Sequence, residues 1–306
     1  MYHSFMLLTI AIPSFNRPEA ALETLKNLFD RGLPDEIQVV IANNGSTNSD
    51  YLAVADYLDK KSNATFLNFE DNLGFALNFL RLLQNCSSKY VLTMSDEDDV
   101  DVLKLPELLE NLNVHSPNLL ILRNQSTRHF KVRKLKAGSL KGASNYMSGM
   151  IFNLDSVGPY LPEVQSLISK EEFAKLYPQV LIALFLFTLG DSFTSSTPGI
   201  NFRAQLPSTI RSSNGNPYWH PTERVYQYLS LNRCIDLLDS RFFGGNNRRL
   251  KSFRKANKRK FFGLLFDAVE TIEPKITMDL TRSSFSTAVN AELRLILKRC
   301  RALLRY

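Results

Sequence analysis

Between residues 7 and 122, short apolar runs alternate with helix-patterned stretches, and few folds accommodate that alternation. The runs Leu7–Ile12 (LLTIAI), Ile37–Ala42 (IQVVIA), Thr65–Phe69, Tyr90–Met94 and Leu119–Leu122 are of strand length, and Leu7–Ile12, bounded by Pro13, reads as a buried strand. Pro18 suits the first turn of a helix. Ala21, Leu22, Leu25, Leu28 and Phe29 then recur at helical spacing until Gly32 and Pro34 stop them. Further helices are predicted over Ser49–Asp59, Gly74–Leu83 and Leu103–Leu112. Strand-helix alternation of this kind predicts an α/β fold, a mostly parallel sheet with helices on both faces. Ligands of such sheets bind beyond the carboxyl ends of the strands.

From Arg123 the pattern loosens. Residues 123–145 are basic and polar, 146–157 read as a strand and turn, and 173–189 as a helix. The longest apolar run, Val180–Leu189 (VLIALFLFTL), falls short of the roughly 17–25 residues that span a bilayer, and reads as a buried core helix. Residues 190–221 carry Pro198, Gly199, Pro207, Gly215 and Pro217 with little periodicity, which predicts a long loop. Helical patterning resumes at Thr222. This divides the chain into a domain over 1–221, with halves at about 1–122 and 123–221, and a basic helical region over 222–306.

That last region carries a large share of the positive charge. The net charge is +7. Nine Lys and Arg with no acid lie between Arg241 and Lys260, interleaved with Phe242, Phe243 and Phe253, and followed by Phe261 and Phe262. Such a block suits anionic phospholipid headgroups, at roughly 1 kcal/mol per residue near the surface. No nucleic-acid motif accompanies it, so nucleic acid is not the expected partner. Cys86, Cys234 and Cys300 have no metal-ligand spacing and read as thiols in a reducing cytosol. Met1–Met6 lacks signal-peptide features. The expected location is cytoplasmic, peripheral on the inner face of the cell membrane.

Four polar segments follow, or nearly follow, four successive strands and should converge on one rim. Ser95-Asp96-Glu97-Asp98-Asp99 sets four acids in a row, a repulsive arrangement that a divalent cation relieves; Mg²⁺ and Mn²⁺ bind through one or two carboxylates plus substrate phosphates. Pro13-Ser14-Phe15-Asn16-Arg17 places a small polar loop at a helix start, where N–H groups favour anions, and Phe15 is placed to flank a base or ribose. Asn43-Asn44-Gly45-Ser46 supplies amides that can read a nucleobase edge. In Asp71-Asn72-Leu73-Gly74-Phe75-Ala76-Leu77-Asn78, Gly74 allows close backbone approach to a ligand.

LTIAIPSFNRPE, VVIANNGSTNSD, NLGFALN and YVLTMSDEDD resemble, in order and spacing, the motifs of family 2 glycosyltransferases of the GT-A fold. The resemblance covers residues 8–122. It implies that Asp98, with Asp96, binds Mn²⁺ or Mg²⁺ in the D-x-D position, with Glu97 between them, and that Asp96 touches ribose or a metal-bound water. It also implies that Ser14, Asn16 and Asn44 help to hold a nucleotide-sugar donor; Pro13, Arg17, Asn43, Asn72, Gly74 and Asn78 complete the expected nucleotide loops. The family usually carries an Asp where Asn43 and Asn44 stand, which leaves CDP-, dTDP- and UDP-sugars open. Ser148-Gly149-Met150-Ile151-Phe152 is similar to the acceptor-side segment of bacterial O-antigen enzymes such as abequosyltransferases, which implies a lipid-linked saccharide acceptor. The general base of the family is an Asp or Glu on a later helix. Asp191, after the apolar run, is the favoured candidate, with Glu171 and Glu172 behind it. A contrasting expectation is a catalytically inactive GT-A-like protein that binds membrane or RNA through its basic tail.

Overall fold

Every residue of the first strand, β1 (Leu8–Ser14), is buried, so a layer of structure covers each of its faces. The computed structural model describes residues 6–47, 51–124, 132–143, 146–201, 220–258 and 261. Two compact units emerge: Met1–Lys170 with Ala174–Gln205, and Glu171–Phe173 with Leu206–Tyr306.

In the first unit β1 is followed by α1 (Pro18–Asp30), β2 (Ile37–Asn44), α2 (Tyr51–Leu58), β3 (Ala64–Phe69), α3 (Gly74–Gln84) and β4 (Tyr90–Thr93). These four strands are parallel in the order β3-β2-β1-β4. Then come β5 (Asp99–Val100), α4 (Leu105–His115), β6 (Leu119–Asn124), β7 (Arg133–Lys134), α5 (Ala137–Ala143), β8 (Met150–Asn153), α6 (Leu154–Val157), α7 (Leu161–Lys170), α8 (Glu172–Leu176, its first two residues counted with the second unit), α9 (Pro178–Leu189) and β9 (Ser192–Asn201). They extend the sheet as β4-β8-β6-β9-β5, with β7 on β9, to nine strands among the described residues. The extension is mixed. β8 runs antiparallel to both β4 and β6, and β5 antiparallel to β9, while β6 and β9 are parallel.

Strand side chains alternate between two apolar layers. Leu8, Ile10, Ile12, Ile37, Val39 and Ile41 face α1, α2 and α4 in one core. The other face is covered by α3 and α9. All but one of the twelve residues of α9 are buried, so it is apolar all round instead of amphipathic. Among the described residues no helix is long and apolar enough to cross a membrane.

Two elements depart from the sequence reading. The expected helix over 173–189 is two helices. Pro178 forces Tyr177 out of the helical region (φ −137°, ψ 54°), and α9 starts afresh with proline in its first turn. The expected loop after Gly190 contains β9. Ser192, Thr194 and Ser195 are buried with hydroxyls satisfied by backbone, as when Thr194 donates to the Ile121 carbonyl at 3.0 Å, and the register shifts ahead of Ile200.

In the second unit α10 (Pro221–Phe242) buries Val225, Leu231, Cys234, Ile235 and Leu238. Gly244 and Gly245, both at positive φ, turn the chain into a second helical stretch over 248–258. Phe253 and Phe261 are buried, the latter stacked on Tyr228 at 4.2 Å between ring centroids. These two rings are spent on the fold. Arg248, Arg249, Lys251, Lys255 and Lys258 are exposed. Phe262 and residues 291–306 lie outside the described residues.

Candidate functional site

β1, β2, β3, β4, β6 and β9 all end at one rim of the sheet, and reversed β8 begins there. The loops after β1, β2 and β3 are stitched together by asparagines. Asn16 donates its N–H to the Ser46 hydroxyl at 2.8 Å and accepts the Thr47 N–H at 3.2 Å. Asn43 accepts the Ser46 N–H and donates to the Asn68 carbonyl across the β2–β3 pair. Asn44 bonds to Leu73, Gly74 and Asn72, and so ties β2 to the start of α3. Gly45, at φ +65°, packs backbone against backbone. A Cβ there would lie 2.4 Å from the carbonyl carbon of Asp71. Phe15, Leu73 and Phe75 stand exposed around this neutral platform. Asn78, one turn into α3, is buried, and its carbonyl oxygen has no hydrogen-bond partner among the described residues.

The loop after β4 is charged and sits deeper. Asp96 is 0% exposed and Asp98 2% exposed. Asp96 accepts the Ser14 hydroxyl at 2.6 Å and the Arg17 guanidinium at 3.0 Å; Ser14 in turn contacts the Tyr51 hydroxyl at 2.5 Å. Thr24 donates to the Asp96 carbonyl at 2.8 Å. Arg17 also pairs with Glu97 at 2.8 Å, and Arg31 with Asp99 at 3.1 Å. Burial pushes the Asp96 carboxyl above its ordinary range, and Arg17 and Ser14 pull part of the way back. Asp98 accepts the buried Ser148 hydroxyl, which also takes the Ser95 N–H at 2.9 Å. Three of the four acids are therefore paired with arginine, and Asp98 is held by a neutral hydroxyl. Two arginines thus relieve part of the repulsion for which a divalent cation was expected.

Ser148, Gly149 and Met150, expected on the acceptor side, seat the acid loop. The Gly149 N–H donates to the Thr93 carbonyl, its carbonyl accepts from Leu122, and a Cβ at its φ of +86° would meet Ile200 at 2.9 Å. Pro13 lies within β1, paired with Ala42 of β2. Sequence reasoning missed Tyr51 and Thr24, which touch the site from 37 and 72 residues away. No local pattern marks such partners.

Asp191 is not brought to this rim. Asp191 precedes β9 in a left-handed turn (φ 41°), its carbonyl accepting from Asn118 just ahead of β6. That is the opposite rim, separated by the length of β6, roughly 20 Å at about 3.3 Å per residue. Asp191 is corrected from general base to turn residue. Glu171 belongs to the second unit. It accepts Arg233 through two nitrogens at 2.7 and 2.8 Å and the Ser230 hydroxyl at 2.7 Å. Burial opposes its charge, but these partners outweigh it and hold the carboxyl below its ordinary range, which makes it a weak proton acceptor. Glu172 lies in the first turn of α8.

Among the described residues no three Asp, Glu, His or Cys side chains are grouped to hold a metal ion. Mg²⁺ and Mn²⁺ require less when a ligand brings phosphate oxygens: one or two carboxylates complete the set. Asp98, a hard oxygen donor beside no thiolate, fits that use, whereas Asp96 is already committed to Arg17 and Ser14.

Residues 9–171 match the family described as Glycosyl transferase family 2. Among solved structures, S. aureus TarS 1-349 in complex with UDP-GlcNAc is similar at 13% identity and a TM-score of 0.62, over 96% of this chain and 79% of that one. A crystal structure of S. aureus TarS 1-349 without named ligand gives 12% identity and a TM-score of 0.58, over 97% and 80%. The mannosyltransferase PcManGT from Pyrobaculum calidifontis, in complex with GDP-Man and Mn2+, gives 12% identity and a TM-score of 0.51, over 98% and 80%. At these identities the likeness shows the fold, a GT-A arrangement. No curated protein sequence matches the chain.

Proposed function

The chain belongs to glycosyl transferase family 2, and on that premise we propose that it carries a sugar from a nucleotide-sugar donor to a lipid-linked saccharide in building a surface polysaccharide such as O-antigen or capsule. The observation that carries this reading is the convergence of the neutral platform and the buried Asp96–Asp98 pair on one rim. The platform offers amide N–H groups and exposed Phe15 and Phe75 for a nucleoside. Arg17, half exposed beside Asp96 and Glu97, is placed to move onto the donor diphosphate. A divalent cation held by Asp98 and the diphosphate would supply positive charge where the leaving group gains negative charge. Ser148 fixes the carboxylate of Asp98 for that role. The acceptor hydroxyl attacks the anomeric carbon in line, with inversion, as the bond to the nucleoside diphosphate breaks, and its proton passes to water.

The solved relatives support the donor class, being recorded with UDP-GlcNAc and with GDP-Man and Mn2+. The exposed cations of 248–258 support docking at an anionic membrane through charge.

The test is release of nucleoside diphosphate from a panel of nucleotide sugars, with Mn²⁺ and with chelator, using lipid extract as acceptor. Turnover that needs metal and is lost in Asp98→Asn is expected. Sustained turnover in chelator would remove the metal from the mechanism. No turnover with any donor would favour a protein that binds through its basic helices without catalysis.

A further inference from the structure

The four acids after β4 are not held alike, and the difference marks one of them as exchangeable. Asp96 is fully buried and accepts the Ser14 hydroxyl as well as pairing with Arg17. Asp98 is buried against Ser148. Asp99 pairs with Arg31 and also accepts the Val100 N–H at 3.0 Å, so the backbone helps to fix it. Glu97 has no such second anchor. Its side chain is 25% exposed, and Arg17 is its one side-chain hydrogen-bond or ion-pair partner among the described residues.

Arg17 mirrors this asymmetry. It stands at the N-cap of α1, and its side chain is 45% exposed. Nη2 faces buried Asp96 at 3.0 Å, while Nη1 donates to Glu97 at 2.8 Å. The two contacts differ in what it costs to break them. Taking the cation from a buried carboxylate is strongly unfavourable, whereas an exposed ion pair contributes little. An anion arriving from solvent therefore displaces Glu97 and leaves Asp96 in place. A guanidinium binds phosphate oxygens with the same fork it offers a carboxylate. The nitrogen that Glu97 uses is thus the one a diphosphate can take over.

We infer that Glu97 is an exchange partner for the donor diphosphate: it holds Arg17 until the donor binds and takes Arg17 back as the nucleoside diphosphate leaves. This rests on the reading of the rim as a nucleotide-sugar site. Asp96 keeps the guanidinium oriented throughout. Glu97 weakens nucleotide binding by the strength of its own pair with Arg17, and in return it speeds departure of the product.

The test is calorimetric titration of the whole chain, with Mn²⁺, by CDP, UDP, dTDP and GDP, followed by comparison of variants with whichever binds most tightly. Glu97→Gln is expected to bind that nucleotide about fivefold tighter at low salt, the scale of one exposed ion pair. The gain should shrink at high ionic strength, and release measured by stopped flow should slow by a similar factor. Asp99→Asn removes the same charge two residues away and leaves Arg17 on Glu97; it is expected to change affinity by less than about twofold. In the Arg17→Gln background, Glu97→Gln should bring no gain. Equal gains in Glu97→Gln and Asp99→Asn would overturn the exchange and leave a general effect of charge. A gain that persists in the Arg17→Gln background would overturn it too. Unchanged or weaker binding by Glu97→Gln, with wild type binding normally, would remove the exchange and leave the nucleotide site standing. Absence of binding to wild type by all four nucleotides would sink the nucleotide site together with the inference.

Discussion

The loops after β1, β2 and β3 and the loop after β4 end neighbouring strands of one sheet, yet they are held in different ways. The first three are held by neutral amides bonded to backbone, with Gly45 pressed against Asp71. The fourth is held by charge: Asp96 and Glu97 on Arg17, Asp99 on Arg31, Asp98 on Ser148. Neutral amides satisfied by backbone cost little to bury. A buried carboxylate is costly unless well paired, and the raised Asp96 carboxyl shows that its pairing falls short. The neutral half is therefore built for stability and the charged half for a ligand that completes it.

The sharpest way to break this contrast is Asp98→Asn. Turnover is expected to fall about 10³-fold, on the order of 4 kcal/mol of transition-state stabilisation, with the unfolding midpoint near wild type. A large loss of stability with turnover retained would reverse the assignment of the two halves. Gly45→Ala attacks the other half. With φ at +65° and a Cβ 2.4 Å from the carbonyl carbon of Asp71, about 3 kcal/mol of stability should be lost in denaturant titration.

Two carboxylates sharpen the contrast through pH. Glu171, held below its ordinary range, adds stability that is present above the unfolded-state value and is lost as pH falls through the folded one. Glu171→Gln should cost about 1–2 kcal/mol at pH 7, discounted because Arg233 is largely exposed, and little at pH 3. Asp96 has the opposite sign. Its folded value is raised, so the native state binds the proton more tightly, and stability declines as pH rises from about 3.9 through the folded value. Asp96→Asn should then unfold a few degrees above wild type at pH 7, with the gap closing toward pH 4, while turnover falls. Equal unfolding temperatures across that range would show that Arg17 and Ser14 already compensate the burial.

Much of the fold was legible because β1 to β4 are continuous apolar runs and their helices carry clear stop signals. The four rim loops followed from that, since polar residues after a buried strand have one place to go. Strand direction was not legible. Met150–Asn153 is too short and too uniformly buried to encode which way β8 runs, and so the contact of Ser148 with Asp98 was hidden. Asp191 misled because an apolar element followed by Gly-Asp looks the same whether a strand ends at the site or a helix ends at the far rim. Glu171 gave no sign of Arg233, 62 residues on, and hydroxyl-rich β9 had the composition of a loop.

The strand order also sets a timetable for the chain as it is synthesised. β1, β2, β3 and β4 pair among themselves, and all four exist once residue 93 is made. β5 pairs with β9, which starts at Ser192. At about 5–20 residues per second that partner arrives on the order of ten seconds later. For that interval Asp96, Glu97 and Asp99 already have Arg17 and Arg31 to pair with, whereas Ser148, which anchors Asp98, joins partway through. The amide platform can set early while Asp98 waits. A nucleotide sugar that stabilises the protein by binding its native state is therefore expected to rescue the finished chain and to leave the nascent one unaided.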